Sequence, residues 1–236
     1  MQSYTRHKLK QDRFAETAHE AADWAGAHRN TTFLVGSIAV VLAVISAGLY
    51  LWHEHQAELG NLALGKAMRT AAAPVRQPGE PAPQDGSPSF SSLAEREKQA
   101  EKEFGEVANK YSWTKAGKIA RYMEGTTAIQ SGDNAVAEQE LKSAAGSGDH
   151  DLAALARLAL ANFYRSMDRQ SDAAKLYKDL ADHPTDTVST AQAQLEMAEM
   201  YEKSNPQEAS NLYQKIQKEN PATMAGQIAA SKLQPK

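Results

Sequence analysis

Between Asn30 and Trp52 the chain carries no charged residue over 23 consecutive positions. Phe33, Leu34, Val35, Ile38, Val40, Val41, Leu42, Val44, Ile45, Leu49 and Leu51 dominate the run. A helix rises about 1.5 Å per residue, so about 20 residues cross a hydrocarbon layer about 30 Å thick. The stretch 31–52 therefore predicts a single membrane-spanning helix. Gly36, Ser37, Ser46 and Gly48 fit such a span, because lipid offers the backbone no hydrogen-bond partner outside its own helix. Tyr50 and Trp52 stand at one end, where aromatic rings favour the interface. A buried core helix is rarely this long and this free of charge. A cleaved signal peptide has a shorter apolar core followed by a small-residue cleavage site. Here a polar segment of about 30 residues precedes the run, and Leu49-Tyr50-Leu51-Trp52 closes it. An uncleaved signal-anchor fits best, and N-terminal sequencing of the mature protein separates the two.

Flanking charge gives a direction. Arg6, Lys8, Lys10, Arg13 and Arg29 precede the span, whereas Lys66 and Arg69 alone fall in the first 20 residues after it. Cytoplasmic flanks carry the excess of Lys and Arg. Residues 1–30 are thus expected to be a cytoplasmic tail and residues 53–236 to lie outside, which in a bacterium is the periplasm. Within the tail, Phe14, Ala18, Ala21 and Ala25 share one helical face opposite charged residues. This is the pattern either of an amphipathic helix on the inner leaflet or of a weakly helical tail.

Self-comparison organises the rest. Ala161, Tyr164, Ala173, Tyr177 and Pro184 recur as Ala198, Tyr201, Ala209, Tyr213 and Pro221, at offsets of 36 or 37. One step upstream, Gly125, Ala128, Ala137 and Leu141 take the same places. Two antiparallel helices approach closely only where small residues meet, with Tyr or Leu knobs filling the gaps. Gly125, Ala161 and Ala198 are the small contacts expected of each first helix, and Ala137, Ala173 and Ala209 those of each second. Ala100 and Phe104 precede Ala137 and Leu141 by 37, so Leu93–Lys110 reads as a second helix. Its partner is expected in 54–72, with Gly65 and Met68 as the small and large contacts. Between them, residues 74–92 hold Pro74, Pro78, Pro81, Pro83 and Pro88 with Gly79 and Gly86, the composition of a disordered insertion. Residues 223–233 read as a capping helix. The charged run Glu95–Glu106 reads as a solvated face with i, i+4 neighbours such as Glu95–Gln99 and Lys98–Lys102.

These residues resemble the tetratricopeptide repeat: Gly or Ala then Tyr in helix A, Ala then an aromatic in helix B, and Pro near the end. The consensus Trp is replaced by Arg121, Arg157 and Gln194. The fold class expected is all-α, one N-terminal transmembrane helix followed by a tetratricopeptide-like solenoid. Span, long loop and repeats in this order, with Tyr4-Thr5-Arg6-His7-Lys8-Leu9-Lys10 at the start, resemble the YfgM-type family of ancillary SecYEG translocon subunits. That resemblance implies an inner-membrane protein with periplasmic repeats, partnered by the Sec translocon and periplasmic chaperones. The Pro-rich insertion departs from the family's compact pattern. A neighbouring family with similar repeats coordinates envelope assembly and cell division, and it is usually soluble.

Chemistry is hard to place in this chain. No cysteine is present, which removes disulfides, thiolate metal sites and cysteine nucleophiles. A formal net charge of −3 with no basic cluster argues against nucleic acid. No phosphate-cradling Gly loop, Gly-x-Ser-x-Gly or His-Glu-x-x-His pattern occurs. His53 and His55 point to different helix faces and make a poor metal pair. Asn30-Thr31-Thr32 matches a glycosylation sequon at the cytoplasmic end of the span, where it carries no meaning. No enzyme, cofactor, metal or small-molecule substrate is expected. Tetratricopeptide arrays hold their partners on the concave face lined by helix A. The register places Ile119, Tyr122, Thr126 and Ile129 there, then Leu155, Leu158, Asn162 and Arg165, then Gln192, Leu195, Glu199 and Glu202. Such a groove is apolar at one end and acidic at the other. The competing reading makes Leu155, Leu158 and Leu195 core residues.

Overall fold

Short polar side chains set the helix boundaries. Ser92, Thr114, Asp133, Asp149, Ser189, Asn205 and Thr223 each accept a hydrogen bond from the backbone N–H three residues on. Each such cap is worth about 1 kcal/mol. The computed structural model describes residues 29–81, 83–84 and 86–234. The tail pattern of Phe14, Ala18, Ala21 and Ala25 lies outside them. The helices are α1 (Arg29–Ala71), α2 (Leu93–Lys110), α3 (Lys115–Ser131), α4 (Asn134–Ala145) and α5 (His150–Ser166). They continue with α6 (Gln170–Asp182), α7 (Thr190–Ser204), α8 (Pro206–Glu219) and α9 (Met224–Lys232). Among the described residues there is no strand, only an isolated bridge between Val75 and Phe90. The fold is all-helical, a long apolar helix followed by helical repeats.

The chain divides into two units, Met1–His55 and Gln56–Lys236. In the first, apolar side chains are exposed all around the helix, from 51% for Ile45 to 67% for Tyr50. Ser37 satisfies its hydroxyl on the carbonyl of Phe33, 2.7 Å away within the same helix. Such a helix has no core of its own to face, and it is long and apolar enough to cross a membrane.

In the second unit each helix packs on its sequence neighbours, and α3 touches α5 while α7 touches α9. Alternation of helices A (α3, α5, α7, α9) and B (α2, α4, α6, α8) follows from the short turns. Ala161, Ala198, Ala137 and Ala173 are completely buried, and the knobs Leu141, Tyr177 and Tyr213 lie in the core as expected. The final helix starts as α3 does. Thr114 Oγ1 and Thr223 Oγ1 each donate to the carbonyl three residues back, at 2.8 Å. A Cβ on Gly117 would lie 2.0 Å from Tyr111 O, and one on Gly226 would lie 1.9 Å from Asn220 O. Only glycine lets these turns close, and the two stand three repeat lengths apart. Hence α9 begins like another helix A.

One expectation is corrected. In 56–71 the buried positions are Gly60, Leu64, Ala67 and Thr70, whereas Met68 is 41% exposed. A Cβ on Gly65 would find nothing nearer than Arg69 Nη1 at 3.9 Å. The small contact is therefore Ala67, two residues on from Gly65. The run Glu95–Glu106 keeps the expected solvated face at Glu95, Lys98, Lys102 and Glu106, while other carboxylates of the run meet neighbouring helices. Glu103 accepts from Thr70 Oγ1 and from Gln99 Nε2, both at 2.8 Å. Glu101 accepts from Ser131 Oγ on α3. At the base of the Pro-rich segment, Arg76 N donates to Phe90 O (2.8 Å), and Arg96 Nη1 donates to Ala73 O (3.3 Å).

Candidate partner-binding face

Helices A present the residues that the register selects. On α3, Ile119, Tyr122, Thr126 and Ile129 are all half-buried. Ile119 leans on the core cluster around Phe104, and Tyr122 and Ile129 lean on the one around Leu141 and Tyr177. Burial pushes the Tyr122 phenol up from its ordinary value, so it stays a neutral donor. On α5, Leu155 is half-buried, and Leu158 is only 9% exposed within the core cluster. Asn162 Oδ1 accepts from Tyr177 OH at 2.5 Å. That bond lets a tyrosine sit at zero exposure in the core without an orphaned hydroxyl.

The polar end of the face is cross-braced. Arg165 Nη1 lies 3.1 Å from Glu196 Oε2 and 3.9 Å from Glu199 Oε2, joining α5 to α7. Burial, only partly offset by Arg165, raises the Glu196 carboxyl. Glu202 accepts from Tyr213 OH and from Lys232 Nζ, both at 2.8 Å. Two cations thus stand among the three carboxylates. Gln192 and Leu195 are half-buried, and Leu195 packs on the core cluster around Tyr213 and Ile216.

The positions without the consensus Trp hold a polar device that the sequence did not disclose. Arg121 Nη1 meets Glu140 Oε2 on α4 at 2.6 Å, and its Nη2 reaches Ala108 O at the end of α2 (3.4 Å). One repeat on, Arg157 pairs with Asp179 at 3.6 Å and reaches Ala145 O at the end of α4 (3.5 Å). Each arginine caps the preceding helix B and pairs with the following one. In the third copy, Gln194 is 5% exposed and its Oε1 is buried without a partner.

A second network was equally hidden. Glu138 binds Lys142 (2.6 Å), Arg169 (2.8 Å) and Tyr164 OH (3.0 Å). The Arg169 guanidinium also stacks over the Tyr164 ring at 4.0 Å. Only the Tyr of this group carried a repeat signal. Among the described residues no group of three or more His, Asp or Glu side chains is placed to hold a metal ion.

The tetratricopeptide repeat-like domain family matches residues 24–187, more than half of the chain. No curated protein and no solved structure matches it.

Proposed function

The chain belongs to the tetratricopeptide repeat-like family, and from that premise we propose that it is a membrane-anchored protein-binding scaffold of the YfgM type. It is an accessory of the Sec translocon that links it to periplasmic chaperones. The observation that carries this reading is the apolar run Thr31–Trp52 on the same chain as a repeat array whose helix-A face is half-open. Residues 1–30 form a cytoplasmic tail, 31–52 the anchor in the bacterial inner membrane, and 53–236 the periplasmic repeat domain, with 74–92 as a Pro- and Gly-rich insertion. The Lys and Arg excess before the span supports that direction.

The scaffold makes no covalent bond. Tethering a binding face to the membrane raises the effective concentration of its partner beside the translocon. Ile119, Tyr122 and Ile129 supply apolar contact, while Asn162, Arg165 and Glu199 supply polar selectivity over a floor that includes Leu158. A photocrosslinking side chain placed at Ile119, Thr126 or Gln192 in intact membranes tests this. Capture of translocon subunits or a periplasmic chaperone is expected, with none from Lys178 on α6. Capture of division or cell-wall proteins alone would sink the reading.

A further inference from the structure

The joint between α6 and α8 lacks the bridge that spans the two joints before it. Arg121 reaches from Ala108 O to Glu140, and Arg157 reaches from Ala145 O to Asp179. One repeat on, Gln194 stands 37 residues after Arg157, and Lys215 stands 36 residues after Asp179. A neutral amide has replaced the guanidinium, and a cation has replaced the carboxylate. At this joint lies a groove of about 630 Å³, lined by residues of α6, α7 and α8.

Gln194 is part of the wall of that groove. It is 5% exposed, and its Oε1 is shut off from solvent with no partner. A buried amide left without a bond destabilises the fold. Rotation about χ3, which is broad for glutamine, presents either end of the amide to the groove. Half-buried Ala174, Met197 and Tyr201 supply an apolar floor. Lys178 and Lys215 line the groove, both exposed, and among the described residues neither makes an ion pair. The lining carboxylates Asp182 and Glu208 stand at helix ends, one closing α6 and the other in the first turn of α8. Between those ends the groove is cationic. A carboxylate from outside would restore the anion that Asp179 supplies one repeat earlier. The amide calls for a donor beside an acceptor. A peptide backbone offers N–H and C=O together, whereas a phosphodiester offers acceptors alone and leaves Oε1 orphaned.

We propose that the α6–α8 groove is a docking surface for an acidic extended peptide: its carboxylates pair with Lys178 and Lys215, and its backbone bonds the Gln194 amide. This occupant is separate from the partner of helices A. At about 3.6 residues per turn, Gln194, Met197 and Tyr201 fall on the side of α7 opposite Gln192, Leu195 and Glu199. The test measures fluorescence anisotropy of a labelled peptide of alternating glutamate and valine, titrated with the full chain in uncharged detergent micelles. Saturable binding is expected. K178E/K215E should weaken it at least about ten-fold at unchanged helicity, because both lysines are exposed. Gln194→Met keeps the side-chain length and removes an unsatisfied polar group, so thermal stability holds or rises while peptide affinity falls about five-fold or more. A benzophenone on the peptide should label α6 or α8. No saturable binding, or equal binding of the peptide with glutamine in place of glutamate, overturns the proposal. So does labelling of α3 or α5 alone, which would put the peptide on the helix-A face. Binding lost in K178E/K215E but untouched by Gln194→Met marks a general anion surface and overturns the peptide assignment.

Discussion

A Cβ built on Gly125 would stand 2.8 Å from Leu141 Cγ and 3.1 Å from Leu141 N, so α3 and α4 touch there through glycine. Leu141 is completely buried and cannot swing into solvent. Gly125→Ala must therefore push α4 outward or force Leu141 off its rotamer, a cost of about 1–3 kcal/mol. Gly65 is the internal control, because its helix interior has open space around it. Gly65→Ala is expected to stabilise by up to about 1 kcal/mol through backbone entropy. Urea unfolding of both variants, followed by circular dichroism, should move in opposite directions.

Glu138 predicts behaviour in acid. Its hydrogen bonds with Lys142, first, and with Arg169 and Tyr164 hold its carboxyl down from 4.5 to about 2. The folded chain gives up this proton more readily than the unfolded one, so the network stabilises above pH 4.5 and is lost as pH falls toward 2. Glu138→Gln should lower the midpoint of thermal unfolding at pH 7. The gap to the natural protein should narrow below pH 4 and close near pH 2. A constant gap across that range would assign the effect to packing.

Glu124 has the opposite sign. Its carboxylate lies over α2, where a Cβ on Gly105 would come within 2.6 Å of Oε1. Burial first, and then the neighbouring Glu140, push its carboxyl up from 4.5 to about 7, against the pull of Arg121. Folding therefore favours the protonated form. Stability from this group is full below pH 4.5 and drains away as pH rises through 7. Glu124→Gln should match the natural protein at pH 4 and exceed it at pH 8 in thermal unfolding.

The repeat was legible because close helix crossings dictate small residues. Ala137, Ala161, Ala173 and Ala198 could be placed from spacing alone, and all four are fully buried. The register slipped by two residues in 56–71 because the Pro-rich insertion breaks the spacing that carries it. There Ala67 and Thr70 take the roles that spacing gave to Gly65 and Met68. The ion pairs stayed hidden because their partners sit 19 and 22 residues away at distances set by packing between helices. Leu158 illustrates the limit of register for the face: a helix-A position can point into the groove or under it. At 9% exposure within the core, Leu158→Ser should cost about 2–4 kcal/mol. Tyr122→Ser should cost less and act chiefly on partner capture. Thermal unfolding of both, beside crosslinking yield, separates floor from lining.

The Arg121–Glu140 pair makes the sharpest demand. At 2.6 Å, with side chains 22% and 8% exposed, it is close to a buried ion pair. Such a pair gains little over an apolar one, because the Coulomb attraction mostly repays desolvation. Breaking it is another matter. Arg121→Met leaves the Glu140 carboxylate buried beside Glu124, and the expected loss is about 3–5 kcal/mol. Glu140→Leu leaves a guanidinium that still caps Ala108 O at 3.4 Å and can turn toward solvent, so its loss should be smaller. Arg121→Met with Glu140→Leu should recover most of the stability, by at least about 2 kcal/mol relative to Arg121→Met alone. The double-mutant cycle in urea measures the coupling directly. Additive losses would mean that Arg121 acts through its cap on α2 and its packing at the consensus Trp position, and that the pair itself contributes nothing.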